Sequence, residues 1–278
     1  MTENRSRRFS SYRFCLVLWI LCSSSTGCWF NVQKTEYNRA KKAADIGEHQ
    51  EALLHFEKVI RLDPKGQLAL EAARQGARIA HLEANSYLQA IRLYRHLILH
   101  SPIEKERMEA QRRIAYIYFE KLSDYSESIT EFSRLLRLPH TKNQDLDYRF
   151  AIAKSYFYLN NFYQSTIEID NILRKVEKRA KRFEYLAFKG NVLLTTKKLE
   201  GAIKIFNQLI EEYPEESLKE NIPISLAVTF EEKGDYKEAI KILEQIKKNH
   251  PAPDFLELRI KRLRERVMNQ PGARGLVK

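Results

Sequence analysis

The sequence predicts an all-α protein: a right-handed α-solenoid of about six helical hairpins, closed at its carboxyl end by a capping helix. Three observations predict it. A small residue flanked by large ones recurs along the chain, a helix-stopping residue stands five positions before each copy of it, and a proline usually follows the second helix. The small residues are Ala52, Ala90, Ser128, Ser165, Ala202 and Ala239, separated by 38, 38, 37, 37 and 37 residues. A nearly fixed period of this length indicates stacked repeats.

The small residue marks the second helix of each hairpin. A large residue precedes it by three positions and another follows it by four, and these offsets place all three side chains on one face of an α-helix. The preceding residues are His49, Tyr87, Tyr125, Phe162, Leu199 and Tyr236. The following residues are Phe56, Tyr94, Phe132, Ile169, Phe206 and Leu243. Because a small side chain between two large ones lets another helix approach closely, each copy is expected to pack a first helix against its second.

Turns and helix ends divide the copies. The turns carry Gly47, Asn85, Ser123, Asn160, Lys197 and Gly234, most of which tolerate a helix stop. The second helices are followed by Pro64, Pro102, Pro139, Pro214 and Pro251, which cannot continue a helix. The fourth copy lacks this proline. There the helix that ends near Leu173 is expected to run on through residues 174–179, or to bend differently at that junction.

The pattern resembles the tetratricopeptide repeat, a helix-turn-helix unit of about 34 residues with a small residue, aromatic neighbours and a late proline. The resemblance covers six copies, at residues 33–66, 71–104, 109–142, 146–179, 183–216 and 220–253. The chain departs from the family in its longer period and in lacking the tryptophan of the first helix. Longer periods resemble those of bacterial outer-membrane repeat lipoproteins, such as the one in the β-barrel assembly machinery or those that assist pilus secretins. The resemblance implies a scaffold that binds proteins in an envelope assembly or secretion complex.

The amino terminus predicts export. Basic residues, the apolar residues 14–22 and a run of small residues are typical of a secretory signal peptide, which would occupy residues 1–27. The apolar segment is too short to span a bilayer. Thr26-Gly27-Cys28 resembles the end of a bacterial lipobox, although Ser25 replaces the usual aliphatic residue, and the resemblance implies a lipidated Cys28 followed by a linker over residues 28–34. Since Trp29 is not the aspartate that favours inner-membrane retention, an outer-membrane lipoprotein facing the periplasm is expected. Another envelope membrane or the periplasm is the alternative location.

The composition favours acidic partners. Lysine and arginine total 48 against 36 acidic residues, a formal charge of +12, and such an excess attracts acidic proteins or anionic membrane surfaces. The most basic segment carries Arg174, Lys175, Lys178, Arg179, Lys181 and Arg182. We interpret it first as a solvated helix junction, and second as a patch for phospholipid, lipopolysaccharide or an acidic protein. Nucleic acid is not expected as a partner because the chain is predicted to be exported.

The sequence shows no catalytic constellation. It has no phosphate-binding loop, no zinc-protease helix and no cysteine after Cys28. We therefore predict that the protein is not an enzyme and needs no cofactor. His96 and His100 are four residues apart and could share a metal ion, but the sequence places no third ligand beside them. Structural roles are favoured for both, and no metal site is predicted.

In the tetratricopeptide repeat family the first helices line a groove, and the resemblance implies two groove positions in each copy. They are Tyr37 and Lys41, Gln75 and Ile79, Arg113 and Ile117, Phe150 and Lys154, Ala187 and Asn191, and Ile224 and Val228. This set does not reproduce the carboxylate clamp of chaperone-binding members. Arg113, Phe150 and Lys154 predict two cations and an aromatic anchor near the middle of the array, unless Phe150 packs within the repeats. A mixed apolar and basic groove favours an acidic peptide or helix as the partner.

The carboxyl end completes the predicted domain organisation. Residues 35–253 would form the six repeats and residues 254–268 the capping helix, with Phe255, Leu256, Ile260 and Leu263 covering the sixth repeat. Residues 269–278 are expected to be a flexible tail. Two function classes remain open. The chain is a lipid-anchored scaffold for an envelope complex, or it is a periplasmic binder of a non-protein ligand such as a glycan or an anionic lipid.

Overall fold

The computed structural model describes residues 31–269, and every regular element among them is a helix. The predicted signal peptide, Cys28 and the tail beyond Asn269 lie outside these residues. The described chain divides into two compact units, which meet between Leu138 and Pro139 in the sequence. None of the described helices is both long enough and apolar enough to cross a membrane.

Unit 1 contains three helical hairpins. Its helices are α1 (31–45), α2 (His49–Leu62), α3 (Gln67–Leu82), α4 (Tyr87–His100), α5 (Glu104–Tyr116), a π-helical turn (Ile117–Lys121) and α6 (Tyr125–Leu135). The odd-numbered helices are the first helices of the hairpins, and the even-numbered ones are the second helices.

Unit 2 contains three more hairpins and a terminal helix. Its helices are α7 (Lys142–Tyr158), α8 (Phe162–Leu173), α9 (Arg179–Thr195), α10 (Leu199–Glu212), α11 (Pro214–Lys219), α12 (Ile222–Lys233), α13 (Tyr236–Lys247) and α14 (Pro253–Asn269). The hairpins are α7 with α8, α9 with α10, and α12 with α13. The predicted all-α class and the count of six hairpins are confirmed.

The predicted pattern of the second helices is also confirmed. All six begin at the large residue three positions before the small one, and all six small residues are completely buried. Five of the six large residues that follow are completely buried as well, and Tyr94 is partly buried. The small side chain permits close contact between paired helices. In the fourth hairpin, for example, the Ser165 hydroxyl donates a hydrogen bond to the backbone carbonyl of Ala153 on α7, at 2.8 Å.

The six turn residues all adopt a left-handed backbone, with φ between 51° and 85°. Glycine reaches this region without steric cost, whereas Ser123 and Lys197 are held there against their preference. The residue after each of them precedes the second helix. In three hairpins its side chain accepts a hydrogen bond from the backbone N–H three residues on, which satisfies an amide that the helix leaves free. These caps are Asp124, Asn161 and Asp235.

The residues beyond the usual repeat length extend the first helices. α3, α5, α7 and α9 begin four or five residues before the copies defined from sequence. In the sixth copy this extension is a separate short helix, because Pro214 begins α11 and the chain then turns through Asn221, whose φ is 55°. The break leaves a cavity of about 360 Å³ among α10, α11, α12 and α13.

The fourth copy ends without the predicted run-on. α8 stops at Leu173, and α9 begins at Arg179. Between them a turn follows the helix, with the Val176 N–H donating to the carbonyl of Ile172 at 2.9 Å. The Val176 side chain is buried in a cluster with Phe150. This junction therefore buries an apolar side chain, and it contains no proline.

α14 packs on α13 as the predicted capping helix. Leu256, Ile260 and Leu263 are at most 2% exposed. Phe255 was expected to join them, but it is 54% exposed. One residue along a helix is a rotation of about 100°, so Phe255 lies to the side of the face that contacts α13.

Candidate functional site

A second row of small buried residues determines which first-helix side chains face outward. The row is Ala40, Ala77 and Ala115 in unit 1, and Ala153, Gly190 and Ala227 in unit 2. We define the first-helix faces by the residues three positions before and one position after each member, which share one side of the helix. The first-helix face of unit 1 comprises Tyr37, Lys41, Arg74, Arg78, Arg112 and Tyr116. The first-helix face of unit 2 comprises Phe150, Lys154, Ala187, Asn191, Ile224 and Val228.

The second and third hairpins each have one more residue between the first and the second helix than the repeat copies defined from sequence assumed. The amides of Ser86 and Asp124 bond to carbonyls six residues back, whereas the equivalent amides of the other four hairpins bond five residues back. In the third hairpin the extra residue is absorbed by the π-helical turn after α5. The first helices of these two hairpins are therefore displaced by one position relative to their second helices.

This displacement corrects the groove residues predicted for unit 1. Arg74 and Arg112 occupy the positions that were assigned to Gln75 and Arg113. Ile79 and Ile117 were predicted to line the groove, but they are core residues, 1% and 0% exposed. The sequence contained a sign of this displacement that was missed. The small residues of the first helices are separated by 37, 38, 38, 37 and 37 residues, whereas those of the second helices are separated by 38, 38, 37, 37 and 37.

The arginines on the first-helix face of unit 1 are already paired. Arg74 donates to both carboxylate oxygens of Glu106, at 2.5 and 3.1 Å, and to Glu71 at 2.9 Å. The hydrogen bond from Arg74 holds the pKa of Glu106 below its usual value. Arg112 and Arg113 both donate to Glu109, at distances between 2.7 and 2.8 Å. The face is consequently less basic than the composition suggests.

The amino-terminal end of this face is polar and aromatic. Tyr37 packs edge-on against Phe56 with ring centroids 6.0 Å apart, and its hydroxyl accepts a hydrogen bond from the Gln75 amide at 2.9 Å. Gln75 therefore links α3 to α1 across neighbouring repeats, and it is partly buried by that contact. Lys41 is exposed one turn further along α1, where its ammonium group is accessible to a partner.

Phe150 does not serve as an exposed anchor. It is 7% exposed, with its ring centroid 4.7 Å from Tyr185 and 5.4 Å from Phe188 on α9. The Lys154 ammonium lies 4.4 Å above the same ring, a cation–π contact that screens Phe150 from the surface. The interpretation in which Phe150 packs within the repeats is thus the one that the structure supports. Asn191 remains exposed on the next first helix.

The basic junction is extensively paired. Lys175 lies 3.7 Å from Asp145, Arg179 lies 3.9 Å from Glu216, and Lys181 forms an ion pair with Asp147. The other contacts are those of Arg182 with the carbonyl of Leu173 and of Arg174 with the side chain of Asn171. Lys178 is exposed just before α9. These contacts favour the interpretation of residues 174–182 as a solvated junction, because three of the six basic side chains form ion pairs and two more bond to neutral groups nearby.

A groove between α12 and α14 was not anticipated from the sequence. Its volume is about 270 Å³, and its lining residues are Glu231, Phe255, Leu258, Arg259, Arg262, Leu263 and Arg266. Phe255 and Leu258 are 54% and 49% exposed. The sequence contained a sign of it, because Phe255, Leu258 and Arg262 follow one another at spacings of three and four, on a different face of α14 from Leu256 and Ile260, which pack on α13. We call this the capping-helix groove.

The two histidines of α4 lie together without further ligands. The ring centroids of His96 and His100 are 4.5 Å apart, and burial lowers the pKa of His96. Across residues 31–269, no group of three or more histidine, cysteine, aspartate or glutamate side chains is arranged to hold a metal ion. The pair is therefore a side-chain contact within unit 1.

Comparison of the chain with known protein families agrees with its fold of repeated helical hairpins. A family model of the tetratricopeptide repeat matches residues 186–216 and 225–252, which belong to the fifth and sixth hairpins. A search of curated protein sequences finds no match to the chain. The fifth and sixth hairpins thus match tetratricopeptide repeats, and the chain has the fold of such repeats.

Similar solved structures belong to the same repeat class. A tetratricopeptide repeat protein from Parabacteroides merdae is 18% identical, with 84% of this chain and 87% of that chain covered and a TM-score of 0.53. PilW, a type IV pilus biogenesis factor, is 16% identical, with coverages of 82% and 98% and a TM-score of 0.52. YrrB, described as having an unusual peptide-binding site, is 17% identical, with coverages of 74% and 97% and a TM-score of 0.50. Repeats of this kind form scaffolds for protein–protein interaction and are generally not enzymes.

Proposed function

We propose that this tetratricopeptide repeat chain is a lipid-anchored adaptor of the bacterial cell envelope, which binds a protein partner along its first-helix faces. One observation carries the binding part of the proposal. The residue just after each small first-helix residue remains at least partly exposed in every hairpin, although the small residue itself is buried. These exposed side chains differ from one hairpin to the next, so they do not repeat a packing requirement. They are Lys41, Arg78, Tyr116, Lys154, Asn191 and Val228.

The envelope part of the proposal rests on the amino terminus. The basic, apolar and small-residue regions of residues 1–27 favour export, and Thr26-Gly27 before Cys28 favours lipidation. α1 already includes residue 31, which is three residues after Cys28. A lipid on Cys28 would therefore hold the first hairpin within about 10 Å of the membrane surface, since an extended chain spans at most about 3.5 Å per residue.

Two of the similar structures support the same role. PilW is named as a type IV pilus biogenesis factor, which supports an envelope role for this chain. YrrB is named for an unusual peptide-binding site, which supports a peptide-binding face here. The competing function, binding of a glycan or anionic lipid through the basic junction, is supported less well because three of the six cations there already form ion pairs with neighbouring carboxylates.

The adaptor function can be tested by crosslinking in native membranes. A photoreactive amino acid at Lys41 or Asn191 samples the first-helix face of unit 1 or unit 2. The matched control is the same amino acid at Tyr163, which is 74% exposed but lies on the second helix α8. We expect a discrete protein adduct at Lys41 or Asn191 and none at Tyr163. Equal labelling at all three positions, or no protein adduct at either face, would contradict the proposed binding face.

The anchor is tested separately. Cys28→Ala should abolish membrane fractionation of the mature chain and leave an unprocessed or released form. Unchanged migration, processing and fractionation of this variant would show that the chain is not a lipoprotein. That outcome would leave the binding face to be judged by the crosslinking result alone.

A further inference from the structure

The capping-helix groove combines exposed apolar surface with an excess of positive charge. Phe255 and Leu258 are each about half exposed and lie one helical turn apart, so they form a contiguous apolar patch rather than isolated exposed residues. Three arginines line the groove and one carboxylate, Glu231, faces them. The groove therefore offers two features that a ligand can complement, an apolar strip and cationic side chains.

Glu231 cannot neutralise all three arginines. Its two carboxylate oxygens are taken by the guanidinium groups of Arg259 and Arg266, at 2.9 and 2.5 Å. Arg262 forms no ion pair with any described carboxylate. The Nε–H of Arg259 is buried and has no acceptor among the described atoms. A buried donor without an acceptor costs free energy, but an incoming group cannot reach it, so the exposed Arg262 is the groove cation that remains for an incoming carboxylate.

The spacing along α14 defines the shape of the occupant. Phe255, Leu258 and Arg262 are related by steps of three and four residues, so they form a strip about two helical turns long. A helix laid along this strip would place two apolar side chains one turn apart against Phe255 and Leu258, and a carboxylate one turn further against Arg262. This is the arrangement by which an amphipathic helix binds a groove.

We infer that the capping-helix groove binds an acidic amphipathic helix of the partner protein, with its apolar side chains on Phe255 and Leu258 and a carboxylate on Arg262. The inference rests on the proposed adaptor function and specifies the partner for one end of unit 2. The chain's own residues 270–278 have the wrong charge for this role, because they carry Arg274 and Lys278 and no aspartate or glutamate.

The experiment measures binding of a synthetic peptide to the full chain by fluorescence anisotropy. The probe is a helix-forming peptide of about 14 residues, with leucines at positions i and i+4 and glutamates at i+7 and i+8. We expect saturable binding, weakened at least about tenfold by Phe255→Ala and by Arg262→Glu. A probe in which lysine replaces both glutamates should bind at least about tenfold more weakly to the unaltered chain.

Two control variants on the same helix separate the groove from general effects of composition. Met268 is 64% exposed and Lys261 is exposed, and both lie outside the groove. Met268→Ala and Lys261→Glu should leave the peptide affinity unchanged, while melting curves confirm that all four variants fold.

Several outcomes overturn the inference. They are no saturable binding up to about 1 mM peptide, equal binding of the lysine-substituted probe, and equal losses in the control and groove variants. Self-association of the chain that disappears in Phe255→Ala would identify a second copy as the occupant and would also overturn it. These results are independent of the crosslinking at Lys41 and Asn191, so the adaptor function and the groove can fail separately.

Discussion

Gly190→Ala should destabilise the protein, although alanine stands at the equivalent position of the other five hairpins. A Cβ atom on residue 190 would lie 2.5, 2.9 and 3.0 Å from three ring carbons of Phe206 on α10. Attractive contacts between carbon atoms begin at about 3.5 Å, so the nearest pair is too close by about 1 Å. Phe206 is completely buried and has no exposed position to which its ring can move.

The expected magnitude is a balance of two effects. Alanine in place of glycine inside a helix gains about 1 kcal/mol from backbone entropy. Overpacking of a filled core costs about 1–3 kcal/mol, and the short distances place this site towards the upper end of that range. The net loss in the free energy of unfolding should be about 1–2 kcal/mol. For a chain of this size it should lower the melting temperature by about 2–8 °C.

The assay is thermal and urea unfolding of the full chain, followed by far-ultraviolet circular dichroism. Gly201→Ala is the matched control, because a Cβ there would meet only the end of the Leu193 side chain, at 3.3 Å. It should leave stability unchanged or raise it by up to about 1 kcal/mol. In a Phe206→Leu background, Gly190→Ala should lose most of its cost, giving a coupling energy of about 1 kcal/mol or more. If Gly190→Ala is equally harmful in both backgrounds, or harmless in the unaltered chain, contact with Phe206 is not the reason for this glycine.

Three further predictions follow from the same structure. Ser123→Gly should raise the free energy of unfolding by about 1 kcal/mol in urea titrations, because Ser123 is held at φ 52° where glycine pays no steric cost; an unchanged or lowered midpoint would contradict this. Phe150→Ala should reduce stability by about 3–5 kcal/mol, since it empties a buried ring site, and any loss of partner affinity should be matched by unfolding in melting curves of the same sample. The pKa of Glu36 is lowered by hydrogen bonds, chiefly from Lys58, so the stabilisation by its carboxylate is present above the unfolded pKa of about 4.3 and is lost as the pH falls through the lower folded pKa. Glu36→Gln should therefore reduce the free energy of unfolding at neutral pH and make it fall less steeply in acid. An unchanged pH dependence of stability in acid would argue against this role.

Much of the fold could be read from the chain because its signals are local. The offsets of three and four around Ala239 and its equivalents are properties of any α-helix, so burial of the small residue and the start of each second helix followed directly. The turn residues were also evident, since the left-handed backbone between the helices favours residues such as Gly47 and Asn85. These features depend on neighbours within one hairpin.

The face that a partner meets depended on more distant contacts. Phe150 has the same local pattern as an exposed groove residue, and only the packing of α9 against α7 shows that Tyr185 and Phe188 bury it. The charge of Arg74 was evident from the sequence, but its neutralisation by Glu106 on α5, 32 residues away, was not. Ion pairs between repeats follow from the three-dimensional register of the helices, which a count of residues does not supply.

The sequence by itself determined the repeat, the all-α class and the turns, because each of these depends on residues close together in the chain. The tertiary structure decided which side chains remain available for binding. One extra residue between paired helices moved the unit 1 face from Gln75 and Arg113 to Arg74 and Arg112. A rotation of about 100° per residue on α14 likewise left Phe255 outside the core and beside the arginines. Helical periodicity fixes the angle between neighbouring side chains on one helix, but the position of the next helix decides which side of the helix faces solvent.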